Sequence, residues 1–144
     1  MDIQITPQEV FEIMISKDKF SHWLGLKLDE INFGYCKLHY TVKEDMLNGF
    51  ASIHGGVLFA ASDSAFAFAC NTHGLLTVAL DVSITFTKPA KVGDKLFVEA
   101  KEIHLGNKTA LYDVRTTNEE GELLCQFKGT AYRTSKKISS QNPA

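Results

Sequence analysis

A chain of 144 residues with 44% hydrophobic and 22% charged side chains has the length and balance of one globular domain. Its formal net charge of -2, from 15 basic and 17 acidic residues, excludes a broad basic face and with it a nucleic-acid partner. The three cysteines, Cys36, Cys70 and Cys125, form no Cys-x-x-Cys pair, so they read as reduced, buried thiols of a cytoplasmic protein rather than a disulfide framework or a zinc site.

The N-terminal Met1-Asp2-Ile3-Gln4 has neither the basic start nor the apolar core of a signal peptide. Thr6-Pro7-Gln8-Glu9 then predicts a helix start, with Thr6 as cap, Pro7 in the first helical position and Glu9 completing a capping box. Val10, Phe11, Ile13, Met14 and Phe20 give this helix, over about 7–20, an apolar face, and it ends before Gly25. Strands follow at Leu26 to Ile31 and Tyr35 to Val42, turned by Asn32-Phe33-Gly34; in the second, Cys36, Leu38 and Tyr40 alternate with Lys37, His39 and Thr41. A loop with Asn48-Gly49 leads into an apolar helix from about Gly55 to Thr72, stopped by Gly74. The period then changes to two. Thr77 to Thr87 is a strand with Val78, Leu80, Val82, Ile84 and Phe86 on one face, followed by strands at Lys95 to His104, Lys108 to Thr117 and Glu122 to Arg133. The tail from about Ser135 to Ala144 is polar and expected to fray. The pattern predicts a single α+β domain over 1–144, an antiparallel sheet of five or six strands wrapped around one long buried helix.

The chemistry concentrates on that helix. Between Asp45 and Lys88 the only formally charged side chains, histidine aside, are Asp63 and Asp81. Asp63 falls within a helix apolar nearly all round, where an ionised carboxylate is rarely left without a partner or a task. The run is short for a membrane span and is interrupted by Ser62-Asp63-Ser64. His54-Gly55-Gly56 opens the helix, where the first amides lack intrahelical partners and carry the positive end of the dipole. An amide there stabilises a carbonyl oxygen gaining negative charge. Asn48 adds an amide able to hold a carbonyl or a water, and His54 reads as an orienting group rather than a proton carrier. The histidines show no ligand spacing, so no metal is expected. No Gly-x-Ser-x-Gly elbow or glycine-rich phosphate loop is present.

Gly55 and Asp63 are eight residues apart, roughly 12 Å along a helix. They cannot both touch one reacting carbonyl within one subunit. If both act, the amide comes from one copy and the carboxylate from another. A sheet wrapped on one side of so apolar a helix also leaves its other side to be covered, and a two-fold homo-oligomer is the economical cover.

Asn48, His54-Gly55-Gly56, Asp63 and the following Ala65-Phe66-Ala67-Phe68-Ala69-Cys70-Asn71 together resemble the hot-dog-fold acyl-CoA thioesterases, and within them the phenylacetic acid degradation (PaaI-like) group, over about Trp23 to Arg133. The resemblance implies a hot-dog fold and a homodimer with two interfacial sites, often paired into a homotetramer. It further implies hydrolysis of an aryl-acetyl or medium-chain acyl-CoA with no cofactor beyond the substrate's own coenzyme A. By the same likeness Gly55 supplies the oxyanion amide, Asn48 fixes the thioester or the water, Asp63 of the other subunit is base or nucleophile, and His54 supports the loop. Gly56, Lys88, Pro89, Gly106, Lys108, Thr109 and Arg133 correspond to segments that meet coenzyme A. Some relatives carry a Ser or Thr near Ala79 to hold the water; Ala79 cannot, which leaves Asn48 or the partner's Ser64. Phe50, Phe66 and Phe68 are candidates to line the acyl pocket. Two other readings are weighed: a non-catalytic acyl-CoA sensing module, and an enoyl-CoA hydratase, whose second histidine would fall where Phe68 stands.

Overall fold

The computed structural model describes residues 4–139. Helix α1 (Pro7–Ile15) starts as read: Thr6 Oγ1 accepts from the Glu9 N–H at 3.2 Å, and Glu9 Oε1 accepts from the Thr6 N–H at 3.3 Å. It does not run to residue 20. Asp18 caps a separate short helix, α2 (Lys19–Leu24), by accepting from the Ser21 N–H at 2.9 Å, and Gly25, at φ 74°, ends it. A capping carboxylate inside the expected helix restarted the chain in a new direction.

Six strands follow: β1 (Lys27–Asn32), β2 (Tyr35–Thr41), β3 (Leu75–Phe86), β4 (Lys95–Leu105), β5 (Thr109–Thr117) and β6 (Leu123–Lys137). They form one sheet in the order β1-β2-β4-β5-β6-β3, every pair antiparallel. β6 continues through Ser135, Lys136 and Lys137, where a frayed tail was expected; residues 140–144 of that tail lie outside the described residues. Helix α3 (Gly55–Asn71) lies on the inner face of the sheet, the arrangement of a hot-dog fold. Its Leu58, Ala61, Ala65, Phe66 and Ala69 meet Leu38 and Tyr40 of β2, Val98 of β4, Val114 of β5 and Phe127 of β6, all at most 3% exposed. No helix of the described residues is long and apolar enough to cross a membrane. All three cysteines are free and buried.

The small side chains of α3 let it approach the sheet, and Gly129 completes the fit. A Cβ built on Gly129 would stand 2.8 Å from the Phe66 ring. Gly129→Ala is therefore expected to destabilise the fold by about 1–3 kcal/mol through overpacking, read as a lower urea midpoint.

The outer side of α3 is not left open. Phe11 of α1 meets Phe68 edge-on, with ring centroids 4.9 Å apart, and Ser21 of α2 touches Ser64. Much of the side for which a second copy is the economical cover is covered by α1 and α2. Exposed large apolar side chains include Val78, Leu80 and Phe86 on the sheet-edge strand β3, 47–61% exposed, Phe20 and Trp23 on α2, and Phe50, which is 92% exposed.

β3 also departs from the expected single apolar face. Its pairing with β6 slips by one between Ala79 and Asp81: Ala79 opposes Ala131, whereas Asp81 opposes Thr130. A bulge of one residue reverses which side chains face inward. Val78 thus lies on the outer face, opposite Tyr132, and Val82, Ile84 and Phe86 on the inner one, opposite Gly129, Phe127 and Cys125.

Candidate active site

The sequence-predicted residues fall into two groups at opposite ends of β3. The first surrounds the start of α3. His54 is the N-cap, and its Nδ1 accepts from the Gly56 N–H at 2.8 Å, the orienting role expected of it. This needs glycine at position 56, where a Cβ would stand 2.9 Å from that nitrogen. The Gly56 N–H is consequently spent within the loop rather than available to a ligand. The Gly55 N–H has no acceptor among the described residues. It is the first amide of a 17-residue helix and carries the positive end of its dipole.

Asn48 builds the loop before it. Its Oδ1 accepts from the Phe50 N–H at 2.8 Å and the Ser52 N–H at 3.2 Å. Two backbone donors fix which end of the amide is oxygen, so the NH2 group faces away and is unpartnered among the described residues. The loop passes through Ala51 at φ 57°, a left-handed conformation that an alanine adopts at some cost. Asn48, Gly55, Lys88 and Pro89 line one open cleft of about 360 Å³, closed on one side by Phe86. The Phe86 ring comes within 3.2 Å of where a Gly55 Cβ would be, so it packs directly against the Gly55 backbone.

The second group surrounds Asp63, in a separate cavity of about 390 Å³ between α1, α3 and the start of β3. The carboxylate is partly buried, has no hydrogen-bond or ion-pair partner among the described residues, and is held above the ordinary Asp value by loss of solvent. Cys70 lines the same cavity, but burial pushes its thiol up to about 12 and keeps it protonated, which removes it as a nucleophile. Ala79 lines the cavity too and offers no polar atom. Ser64 is turned toward α2, 2.9 Å from Ser21 Oγ. Ser21 donates to Asp18 Oδ2 at 2.6 Å, so the Ser64 proton goes to Ser21 and Ser64 is left able only to accept from a water.

The remaining predicted residues sit at or beside turns, except Arg133, which is on β6. Lys88 pairs with Glu122 at 3.2 Å, both well exposed. Gly106, Lys108 and Thr109 form the β4–β5 hairpin, which is closed by the Gly106 N–H on the Thr109 carbonyl at 2.8 Å. Arg133 braces that hairpin, donating to the Gly106 carbonyl at 2.8 Å. This hairpin neighbours the Asp63 cavity, because Arg133 pairs across β3 with Thr77 of its lining. Of the three candidate phenylalanines only Phe66 lines a cavity with Asp63; Phe68 is core against Phe11, and Phe50 stands at the loop tip. The role of Phe86 beside Gly55 and those of Ile13, Met14 and Ile138 beside Asp63 were not read from the sequence, since long-range packing leaves no local signal.

Residues 50–125 match the family model described as the Thioesterase superfamily. A protein of Archaeoglobus fulgidus, described no further than as an esterase, is 42% identical over 90% of this chain and 84% of its own. The acyl-coenzyme A thioesterase PaaI of Escherichia coli is 35% identical over 89% of this chain and 91% of its own. The solved structure of the E. coli PaaI protein from the phenylacetic acid degradation operon superposes with a TM-score of 0.90, covering 92% of this chain and 96% of that one at 34% identity. A thioesterase protein of Streptococcus pneumoniae solved with coenzyme A superposes at 0.75, with 28% identity, over 78% of this chain and 91% of that one.

Proposed function

The chain belongs to the thioesterase superfamily, and on that premise we propose that it hydrolyses aryl-acetyl or medium-chain acyl-CoA thioesters at a site completed by two subunits. It is an acyl-CoA thioesterase by family. The observation that carries the finer reading is Asp63, a carboxylate without a partner in a cavity that the Gly55 amide of its own chain does not share.

The second subunit joins along β3. This strand is an edge with exposed Val78, Leu80 and Phe86. Exposed apolar edge strands are templates for pairing. Antiparallel pairing of two β3 strands about a point near Val82 brings the start of one chain's strand, with Val78, beside the end of the other's, with Phe86. Val78 lines the Asp63 cavity and Phe86 the Gly55 cleft, so the two half-sites become one. The thioester oxygen then lies on the Gly55 N–H and the Asn48 NH2, and the carbonyl carbon faces the partner subunit's Asp63. Ionised Asp63 either takes a proton from water or attacks to form an anhydride. In both routes the bond to carbon forms, the C–S bond breaks and coenzyme A leaves as a thiolate; in the second, water then cleaves the anhydride to free the acid and restore the Asp63 carboxylate. Lys88 and Lys108 are the cations assigned to its phosphates. Position 68 is a phenylalanine packed in the core, so the second group of a hydratase is missing.

The test is release of free thiol from a panel of aryl and aliphatic acyl-CoAs; a protein that releases none from any member sinks the reading. The raised Asp63 pKa adds a pH signature. Its base form is lost as pH falls through the raised value, so the acid limb of kcat/KM lies above the ordinary aspartate value of 3.8. A limb at or below that value in a pH profile would remove Asp63 as the group it reports.

A further inference from the structure

We propose that Phe50 of one subunit seats on the end of α1 in its partner, at the corner formed by Ile13 and Lys17, and so fixes the loop carrying Asn48 and Gly55 in front of the partner's carboxylate. The proposal rests on the two-subunit reading above and adds a contact which that reading does not require. Phe50 is 92% exposed, so its ring packs on almost nothing in its own chain. Aromatic side chains of this kind are the usual anchors of an interface.

The loop that presents the ring is stiff. Asn48 Oδ1 accepts from the Phe50 N–H at 2.8 Å and the Ser52 N–H at 3.2 Å. The Asn48 N–H donates to the Ser52 carbonyl at 2.7 Å, and Ser52 Oγ donates to the Ala90 carbonyl at 3.2 Å. The cost of ordering the loop is therefore met when the chain folds, not when it binds. Because Asn48 holds the Phe50 backbone, fixing the ring also fixes the Asn48 amide two residues away.

The surface that receives the ring follows from where the half-sites meet. Asn48 and Gly55 line one half-site, and Phe50 lies within about 7 Å of chain from Asn48. Facing them in the pair is the Asp63 cavity, whose lining runs from the buried Asn71 and Thr77 to the exposed Lys17. Lys17 thus marks its rim, just beyond the end of α1, with the half-buried Ile13 in the last turn of that helix. Ile13 offers an apolar contact. Lys17 offers a methylene stem and an ammonium without a partner among the described residues, which is favourable over a ring face.

The test is cross-linking in mixed dimers. Phe50→Cys and Lys17→Cys are refolded together and treated with a short bis-maleimide. Both positions are exposed and all three native cysteines are buried, so the fold is kept and the background reaction is low. About half of randomly reassociated dimers are mixed, and each mixed dimer holds one pair of introduced thiols across the interface. A covalent dimer in up to about half of the chains is expected from the mixture and from neither variant alone. Its absence from the mixture, or an equal yield from either variant alone, overturns the proposal. Phe50→Ser should lower kcat by about tenfold to a hundredfold with little change in KM, since misplacing a reacting group by about 1 Å costs up to about 10² in rate. Phe50→Tyr should keep kcat. An unchanged kcat in Phe50→Ser also overturns the proposal. A protein that sediments as a monomer at assay concentration overturns the two-subunit reading itself, whereas a dimer whose mixed variants do not cross-link leaves that reading standing.

Discussion

Asp63→Asn is expected to lower acyl-CoA hydrolysis by about 10²- to 10⁴-fold, the range of a lost base or nucleophile, while the folded protein becomes more stable at neutral pH. The second half follows from the sign of the pKa shift. Burial raises the Asp63 pKa in the folded state, so folding favours the protonated acid. That contribution is fully present below the unfolded-state value and is lost as pH rises through the folded-state value. At pH 7 the ionised carboxylate is a burden that a neutral amide of the same shape does not carry. Thermal unfolding of the two proteins at pH 7 and near pH 4 should show the gain from Asn at the higher pH and little or none at the lower. A loss of activity accompanied by a lower midpoint at pH 7 would make Asp63 a structural group rather than a reacting one.

Complementation between two inactive variants gives the second large effect. Gly55→Pro removes the proposed oxyanion donor while leaving a residue suited to the first helical position. Loss of one such donor costs about 10²–10³ in turnover. Gly55→Ala, which keeps the N–H and needs only a small shift of the Phe86 ring, serves as its control. If each site takes Asp63 from one chain and the Gly55 amide from the other, a dimer of Asp63→Asn with Gly55→Pro holds one intact site and one doubly broken site. Random reassociation makes about half of all dimers mixed, so about a quarter of wild-type activity should return. A site built within one chain predicts no recovery at all. Unfolding and refolding the mixed variants, followed by a thiol-release assay, separates the two outcomes.

Much of the geometry of the candidate site was legible beforehand because it is local. His54-Gly55-Gly56 announces a helix start with an open amide, and the structure puts His54 in the cap and leaves the Gly55 N–H unpaired. The separation of Gly55 and Asp63 follows from helical rise alone, and the two groups do lie in different cavities. The capping box at Thr6 and the stop at Gly74, which has φ 88°, are equally short-range. The surroundings of the residues proposed to meet coenzyme A were less legible. Lys88 and Arg133 read as basic residues for coenzyme A, and the partners they have in the structure, Glu122 for one and the Gly106 carbonyl for the other, were not foreseen. Spacing says nothing of a partner that arrives from another strand.

The amino-acid sequence by itself determined the order and kind of the main elements, which side chain is the misplaced carboxylate, and that one chain cannot bring it to the Gly55 amide. These depend on residues within a turn or two of each other, where backbone geometry leaves few choices. Only the tertiary structure decided that a bulge after Ala79 turns Val78 outward, that Phe86 closes on Gly55, and that α1 walls the cavity beside Asp63. Strand register and the docking of α1 are settled by apolar burial summed over the whole molecule, to which each residue adds little and gives no local sign.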